Sequence, residues 1–193
     1  MPYRSSSLLI STVLRALLYY NSPMETTYSA TFTTPLGDVI ATSNDKGVSG
    51  LWFAEHQLHL PDQSILSSCQ PGNDHPLLLK VSAWLEAYFA GQNPIVDIPL
   101  NLNGSFFQLC IWFMLCGIKY GTTATYGELA LQLQKSLGRE RPPAAQAIGQ
   151  AVGHNPISLI IPCHRVVGKN GRLTGYGGGL DRKEALLKLE GWL

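Results

Sequence analysis

Residues 160–167 read Ile160-Ile161-Pro162-Cys163-His164-Arg165-Val166-Val167, and the segments on either side of them set the fold expected of the whole chain. A thiol and an imidazole stand side by side where an apolar run meets a glycine-rich loop. A thiol is a useful nucleophile only as thiolate, and a neighbouring base or cation lowers its pKa from about 8.5 toward neutrality. Cys163 is therefore a candidate reactive centre. The bland alternative for the same two residues is a buried cysteine beside a hydrogen-bonded histidine. The preceding run Ile157-Ser158-Leu159-Ile160-Ile161 is short, contains β-branched side chains and follows the turn residues Asn155-Pro156, which reads as a buried strand. On that reading the pair sits at a strand end, facing a loop.

Upstream, Thr125-x-x-Glu128 is a capping box that starts a helix at Tyr126 and carries it to about Ser136. Gly138-Arg139-Glu140-Arg141 breaks that helix. Pro142-Pro143 suits the entry to a second one, running from Ala144 to about Val152 and stopping at Gly153. The two make a helix-turn-helix candidate. In the second helix Ala145, Gly149 and Gly153 fall four residues apart, so one face carries almost no side-chain bulk. Glycine costs ~1 kcal/mol relative to alanine within a helix, so such a face has a purpose: close packing in the core, or close approach to DNA. Residues 105–118 also read as a helix, with an inward stripe of Phe107, Ile111, Leu115 and Ile118. Phe106, Leu109, Phe113, Met114 and Cys116 leave its other faces apolar as well, the pattern of a buried helix.

The first half reads differently. Segments 28–34, 38–42 and 47–53 are separated by Pro35-Leu36-Gly37 and Asn44-Asp45-Lys46, which predicts a three-stranded meander. Residues 76–89 then carry Leu77, Val81, Trp84, Leu85 and Tyr88 at helical spacing, ending at Gly91. A short strand is expected near residues 95–99, and Asn101-Leu102-Asn103-Gly104 reads as a linker. The expected division is an extension over 1–23, a scaffold domain over 24–102 and a reactive domain over 103–193. Residues 8–20 are apolar apart from Ser11, Thr12 and Arg15. That is shorter than the ~20 residues of a spanning helix, and no secretory cleavage site follows. The expectation is a disordered extension or a true start at Met24, with a membrane-surface anchor less favoured.

Charge is unevenly spread. Residues 1–100 hold four basic and eight acidic side chains, a net of −4, while the remainder holds ten basic and five acidic, a net of +5. A modestly basic half is compatible with a polyanion and does not require one. The four cysteines, Cys69, Cys110, Cys116 and Cys163, lack zinc-site spacing, which points to a reducing compartment with neither disulfide nor metal.

The second half resembles the O6-alkylguanine-DNA alkyltransferases, also called methylated-DNA–protein-cysteine methyltransferases. The shared words, in order, are Phe107-Gln108, Trp112, Tyr120-Gly121, Thr125-Tyr126-Gly127-Glu128-Leu129-Ala130, Ala144-Ala145-Gln146-Ala147-Ile148-Gly149, Gly153-His154-Asn155-Pro156, Pro162-Cys163-His164-Arg165-Val166, Leu173-Thr174-Gly175-Tyr176, Gly178-Gly179 and Leu189-Glu190-Gly191. The likeness is faint over residues 24–100. It implies an α/β N-terminal domain, a small ribonuclease-H-like sheet with a helix, before a mostly α C-terminal domain whose helix-turn-helix is winged-helix-like.

The resemblance also implies a function: direct repair of double-stranded DNA by irreversible, single-turnover transfer of an alkyl group from guanine O6 to the protein's own cysteine, with O4-alkylthymine left open as a second substrate. Catalytic roles would fall to Cys163 as nucleophile, His164 as base through a water, Glu190 as orienter, Tyr126 as donor to the leaving guanine and Asn155 as brace. DNA and base contacts would come from Ala145, Gln146, Gly149, Arg165, Val166, Tyr176 and Gly177, through the minor groove and with the target nucleotide rotated out of the duplex. Gln146 stands where many relatives carry arginine, and Lys119 where they carry proline. No cofactor, metal or membrane is implied, and a monomer in the cytoplasm, nucleoid-associated if bacterial, is expected. Two other readings stay open: a damage-binding relative that does not repair, against which Cys163 speaks, and a cysteine hydrolase, which leaves the helix-turn-helix without a purpose.

Overall fold

The computed structural model describes residues 26–55 and 59–193, so the expectations for residues 1–23 lie outside the described residues. The meander forms as β1 (Tyr28–Phe32), β2 (Val39–Asn44) and β3 (Gly47–Phe53), antiparallel throughout. A two-residue strand, β4 (Gln70–Pro71), pairs in parallel with β1, giving the sheet order β3-β2-β1-β4. Before it lies a short helix, α1 (Gln63–Ser67), whose first turn is capped by the Asp62 carboxylate. Neither element is marked by apolar periodicity, because both lie on the exposed side of the chain.

Helix α2 (Pro76–Phe89) has the bounds expected from its apolar spacing and turns Leu78, Val81, Trp84, Leu85 and Tyr88 into the core. The strand expected near residues 95–99 does not form. Ile95 is 89% exposed, and Pro94 and Pro99 lack the N–H groups a ladder needs. Only Leu100 makes a single bridge, to Val48.

Helix α3 (Phe106–Cys116) opens with a capping box in which Ser105 and Gln108 exchange side-chain and backbone bonds. Its inward residues are Ile111, Trp112 and Leu115, with Trp112 in the stripe and Phe107 only half-buried, a correction to the expected face. The Trp112 indole N–H explains the shift, since it reaches the Ala151 carbonyl at 2.8 Å. Phe106 and Phe113 remain exposed, so the helix is not buried all round.

Helix α4 (Tyr126–Leu137) is capped by Thr125 and Glu128 as expected and ends at Gly138, whose φ of 60° is the left-handed conformation that glycine adopts without strain. Helix α5 (Ala145–Gly153) is capped by Ala144, so Pro142 and Pro143 precede the helix and do not occupy its first turn. Helices α3, α4 and α5 pack on one another. Helix α6 (Leu180–Leu189) is capped by Gly179, with Asp181 inside its first turn.

The two halves share backbone hydrogen bonds. Leu51 N–H donates to the Pro156 carbonyl at 2.9 Å, and Ser158 N–H donates to the Leu51 carbonyl at 2.8 Å. Arg182 adds a side-chain tie, donating to the carbonyls of Leu36 and Glu55 with its guanidinium over the Phe53 ring. An α/β first half and a mostly helical second half are thereby held together directly ahead of the reactive segment.

Candidate active site

The run before Cys163 is a turn and not a strand. Ile157 alone bridges to Leu51; beyond it Leu159 takes a φ of 69°, which no strand accommodates. The reason is Asn155. Its amide donates to the Ile161 carbonyl at 2.8 Å and its Oδ1 accepts from Ile157 N–H at 3.1 Å, meeting backbone needs that a ladder would otherwise meet. Cys163–Arg165 follows as one turn of 3-10 helix, with Cys163 bonded to Asn155 and His164 to Glu190. Beyond it β6 (Val166–Val167) pairs in parallel with β5 (Ala124–Thr125), so the reactive turn is pinned beside the cap of α4.

Cys163 is 6% exposed and its sulfur accepts a hydrogen bond from the Asn155 amide at 3.0 Å. Burial pushes the thiol pKa up, against the opposing pull of that bond and of the Lys183 charge. The resting group is therefore a thiol. This runs against the pKa lowered toward neutrality that the neighbouring imidazole suggested: the sequence shows that neighbour but not the depth of burial. A base must take the proton as the sulfur reacts.

His164 is fully buried, and Nε2 lies 2.8 Å from Glu190 Oε1. Burial lowers its pKa, with Glu190 working in the opposite direction, so the ring is neutral at physiological pH. With Nε2 carrying the proton given to Glu190, Nδ1 is a free lone pair; among the described residues it has no hydrogen-bond partner.

Glu190 ends α6 and lies in the interior. Burial alone would raise its pKa, yet the donors from His164, Arg165 and Tyr88 hold it at about 2. Gly121 N–H adds a bond to Oε2 at 3.2 Å. Gly121 takes a φ of 70°, and a Cβ there would stand 2.9 Å from the Glu190 carbonyl oxygen, so the residue has to be glycine.

Three findings change the expected cast. Arg165, expected at DNA, is buried, with Nε 2.8 Å from Glu190 Oε2 and Nη1 2.6 Å from the Ile118 carbonyl. Its charge is consumed internally. Tyr88, on α2 of the first half, donates to Glu190 Oε1 at 2.7 Å, so that half is more than a scaffold. The sequence placed Tyr88 on the buried stripe, and a buried phenol needs a partner, which was the available signal. Lys183 was missed altogether. It is fully buried and donates to the carbonyls of Val166, Thr174 and Gly175, and burial brings its pKa down to about 8. A lysine in register with Leu186 and Leu187 on the apolar stripe of α6 was the signal that could have found it.

Residues 106–192 match the family model described as 6-O-methylguanine DNA methyltransferase, DNA binding domain. The chain is 40% identical over 166 residues to the methylated-DNA–protein-cysteine methyltransferase of Methanosarcina acetivorans, covering 85% of this chain and 98% of that relative. The chain belongs to the methylated-DNA–protein-cysteine methyltransferase family. The relative of the same name from Haemophilus influenzae is 39% identical over 168 residues, 86% of this chain and 88% of its own. Among solved structures, the Mycobacterium tuberculosis O6-methylguanine methyltransferase superposes with a TM-score of 0.69 at 38% identity, covering 85% of this chain and 92% of that one. The M. tuberculosis protein in complex with DNA matches with a TM-score of 0.69 at 39% identity over 84% of this chain and 92% of that chain.

The remaining residues expected from family membership divide into wall and face. Val166 is buried, its N–H bonded to the Cys163 carbonyl and its own carbonyl to Lys183, so it builds the wall and offers no free backbone group. The buried Tyr176 ring stands 6.4 Å from the His164 ring, and Gly177 beside it is half-buried. The Tyr126 hydroxyl lies 3.3 Å from the carbonyls of both Thr174 and Gly175, and burial raises its pKa, which keeps it a donor. On α5, Ala145 and Gln146 are exposed and Gly149 is half-buried, with the Tyr126 ring beneath it. A separate cavity of about 830 Å³ lies between the halves, lined by Trp84, Tyr88, Phe113, Tyr120 and Arg165; Cys163 is not on its wall.

Proposed function

We propose that this chain repairs alkylated double-stranded DNA by moving an alkyl group from O6 of guanine to Cys163, the activity of a methylated-DNA–protein-cysteine methyltransferase. The observation that carries the reading is the ordered chain Asn155, Cys163, His164, Glu190, in which a buried thiol is backed by a neutral imidazole whose orienting carboxylate is already ionised. In the reaction the S–C bond forms as the O6–C bond breaks. The thiol proton passes through a water to His164 Nδ1, and the electron pair of the broken bond stays on guanine. Tyr126 donates to that departing base, and Glu190 stabilises the imidazolium. A thioether is a poor donor of its alkyl carbon at neutral pH, so each molecule acts once. Sulfur does this work without metal or cofactor.

The target atom lies inside the duplex, so the nucleotide is rotated into the cleft between Tyr126, Tyr176 and Gly177 at a cost of roughly a few kcal/mol. The smooth face of α5, Ala145 and Gly149, lies in the minor groove and Gln146 takes the place of the extruded base. Helices α4 and α5 act as the helix-turn-helix of a winged-helix-like reactive domain over 103–193, and the ribonuclease-H-like sheet belongs to a second domain over 24–102. The protein works as a monomer in the reducing cytoplasm. No described helix is long and apolar enough to cross a membrane. A damage-binding role without repair finds no support here, because nucleophile, base and orienter are all assembled. Mass spectrometry after incubation with an O6-methylguanine duplex tests the proposal: one methyl gained on the peptide holding Cys163 is expected, and an unmodified peptide alongside unrepaired DNA overturns it.

A further inference from the structure

Phenylalanine would fill the same space at position 88. The ring is 1% exposed, stacked on Trp84 at 5.1 Å, and packs edge-on against Phe89 and Tyr120. A hydroxyl buried there costs ~1–3 kcal/mol unless it is hydrogen-bonded, so its partner matters. That partner is the oxygen that receives the His164 proton donor. Tyr88 Oη stands 2.7 Å from Glu190 Oε1 and 3.3 Å from His164 Nε2, while Nε2 and Oε1 are 2.8 Å apart. The three atoms close a triangle. Arg165 grips both carboxylate oxygens, Nε on Oε2 and Nη2 on Oε1, and Gly121 N–H holds Oε2.

We propose that Tyr88 is a positioning residue for proton transfer: its hydroxyl fixes Glu190 Oε1 in the plane that keeps the proton on His164 Nε2 and leaves Nδ1 turned to the thiol. The inference rests on the alkyl transfer proposed above and adds that the first half of the chain sets the base. Donation from Tyr88 also draws charge from the carboxylate, which tempers the basicity of the imidazole. The other ionisable groups acting on His164 are Arg165 on the reactive turn and Lys183 on α6. Tyr176 contributes from the loop before α6, and Tyr120 from the segment between α3 and α4. None of these contacts Glu190 Oε1 and His164 Nε2 together, as Tyr88 does.

The test uses the full chain and its Tyr88→Phe variant in single-turnover transfer from an O6-methylguanine duplex across pH 5 to 9. Loss of one hydrogen bond to a charged group predicts about a tenfold slower transfer at neutral pH. The acidic limb of the profile moves to higher pH, because a carboxylate with one donor fewer makes the imidazole more basic. Nitrogen NMR of His164 should show a reduced share of the Nε2–H tautomer. Tyr120→Phe, which removes a hydroxyl that donates to the Leu189 carbonyl, keeps the limb in place. An unchanged rate and limb in Tyr88→Phe overturns the proposal, and so does the same limb shift in Tyr120→Phe. Failure of the unaltered chain to place methyl on Cys163 overturns the underlying activity instead, whatever Tyr88 does.

Discussion

The group around His164 and the open face of α5 solve opposite problems. Glu190 accepts from five donors on four residues, and every one of those groups is held by another element of the fold. Such a site tolerates no slack, since a polar group buried without its partner is costly. The α5 face carries alanine, glycine and an exposed glutamine, and fixes nothing within the protein. Chemistry on one atom asks for rigid placement, whereas a partner that arrives from outside asks for room. The basic excess of the second half shows the same division. Arg165, Arg182 and Lys183 are spent on internal carbonyls and a carboxylate, while Lys135, Arg139 and Arg141 stay exposed near the break before α5.

Breaking the rigid side should give the largest effects. Cys163→Ser should reduce methyl transfer by at least ~10³-fold, because serine in the same place is a far poorer nucleophile, with duplex binding preserved. A serine variant that still restores guanine at a comparable rate ends the account. Glu190→Gln strands the buried Arg165 and should cost roughly 3–5 kcal/mol, read as a large fall in melting temperature at neutral pH. That difference should shrink in acid. The folded pKa of Glu190 is about 2 against an ordinary 4.5, so its contribution is complete above about pH 4.5 and is lost as pH falls through about 2. The corresponding free energy is about 3 kcal/mol, of which about 2 kcal/mol is lost between pH 7 and pH 3, and urea melts at those two pH values measure that share.

On the chemical step, the lowered pKa of His164 keeps its base form available below the ordinary value of 6.5. Transfer should therefore hold nearly constant from neutral pH down to 6.5 and fall only below it; a decline already centred at or above 6.5 contradicts the neutral, buried imidazole. Effects on the adaptable side are smaller. Gln146→Arg should tighten duplex binding or speed repair several-fold and steepen the salt dependence of binding by up to about 0.9 in logarithmic slope, the share of one added positive charge at the duplex. Equal affinity, rate and slope would remove Gln146 from the interface. Smallest of all, Gly149→Ala should raise helix stability by up to ~1 kcal/mol, since its Cβ meets the Tyr126 ring at an ordinary 3.7 Å. A calorimetric scan showing destabilisation refutes that.

The parts legible in the sequence are those governed by local rules. The bounds of α2 follow from its apolar spacing, and the starts of α4 and the meander strands follow from a capping box and turn residues. The reactive turn was misread because Ile157, Ile160 and Ile161 favour a strand locally. What overrides that preference is one side chain, Asn155, acting on groups up to eight positions away. Arg165 and Lys183 were unreadable for a related reason: a charge in sequence looks like surface until its partners are brought together by elements far apart in the chain. Tyr88 and Glu190 are separated by 102 positions, a distance no local pattern reports.

The paired bonds between Leu51 and the segment Pro156 to Ser158 bear on how the molecule behaves when cut. A protease nick within residues 101–104 severs the covalent link yet leaves that backbone seam, the Arg182 strap and the Tyr88 hydroxyl in place. The nicked product should persist as a noncovalent pair of fragments and come apart only on dilution or denaturation, and the piece carrying Cys163, once isolated, would lack the phenol that sets its base.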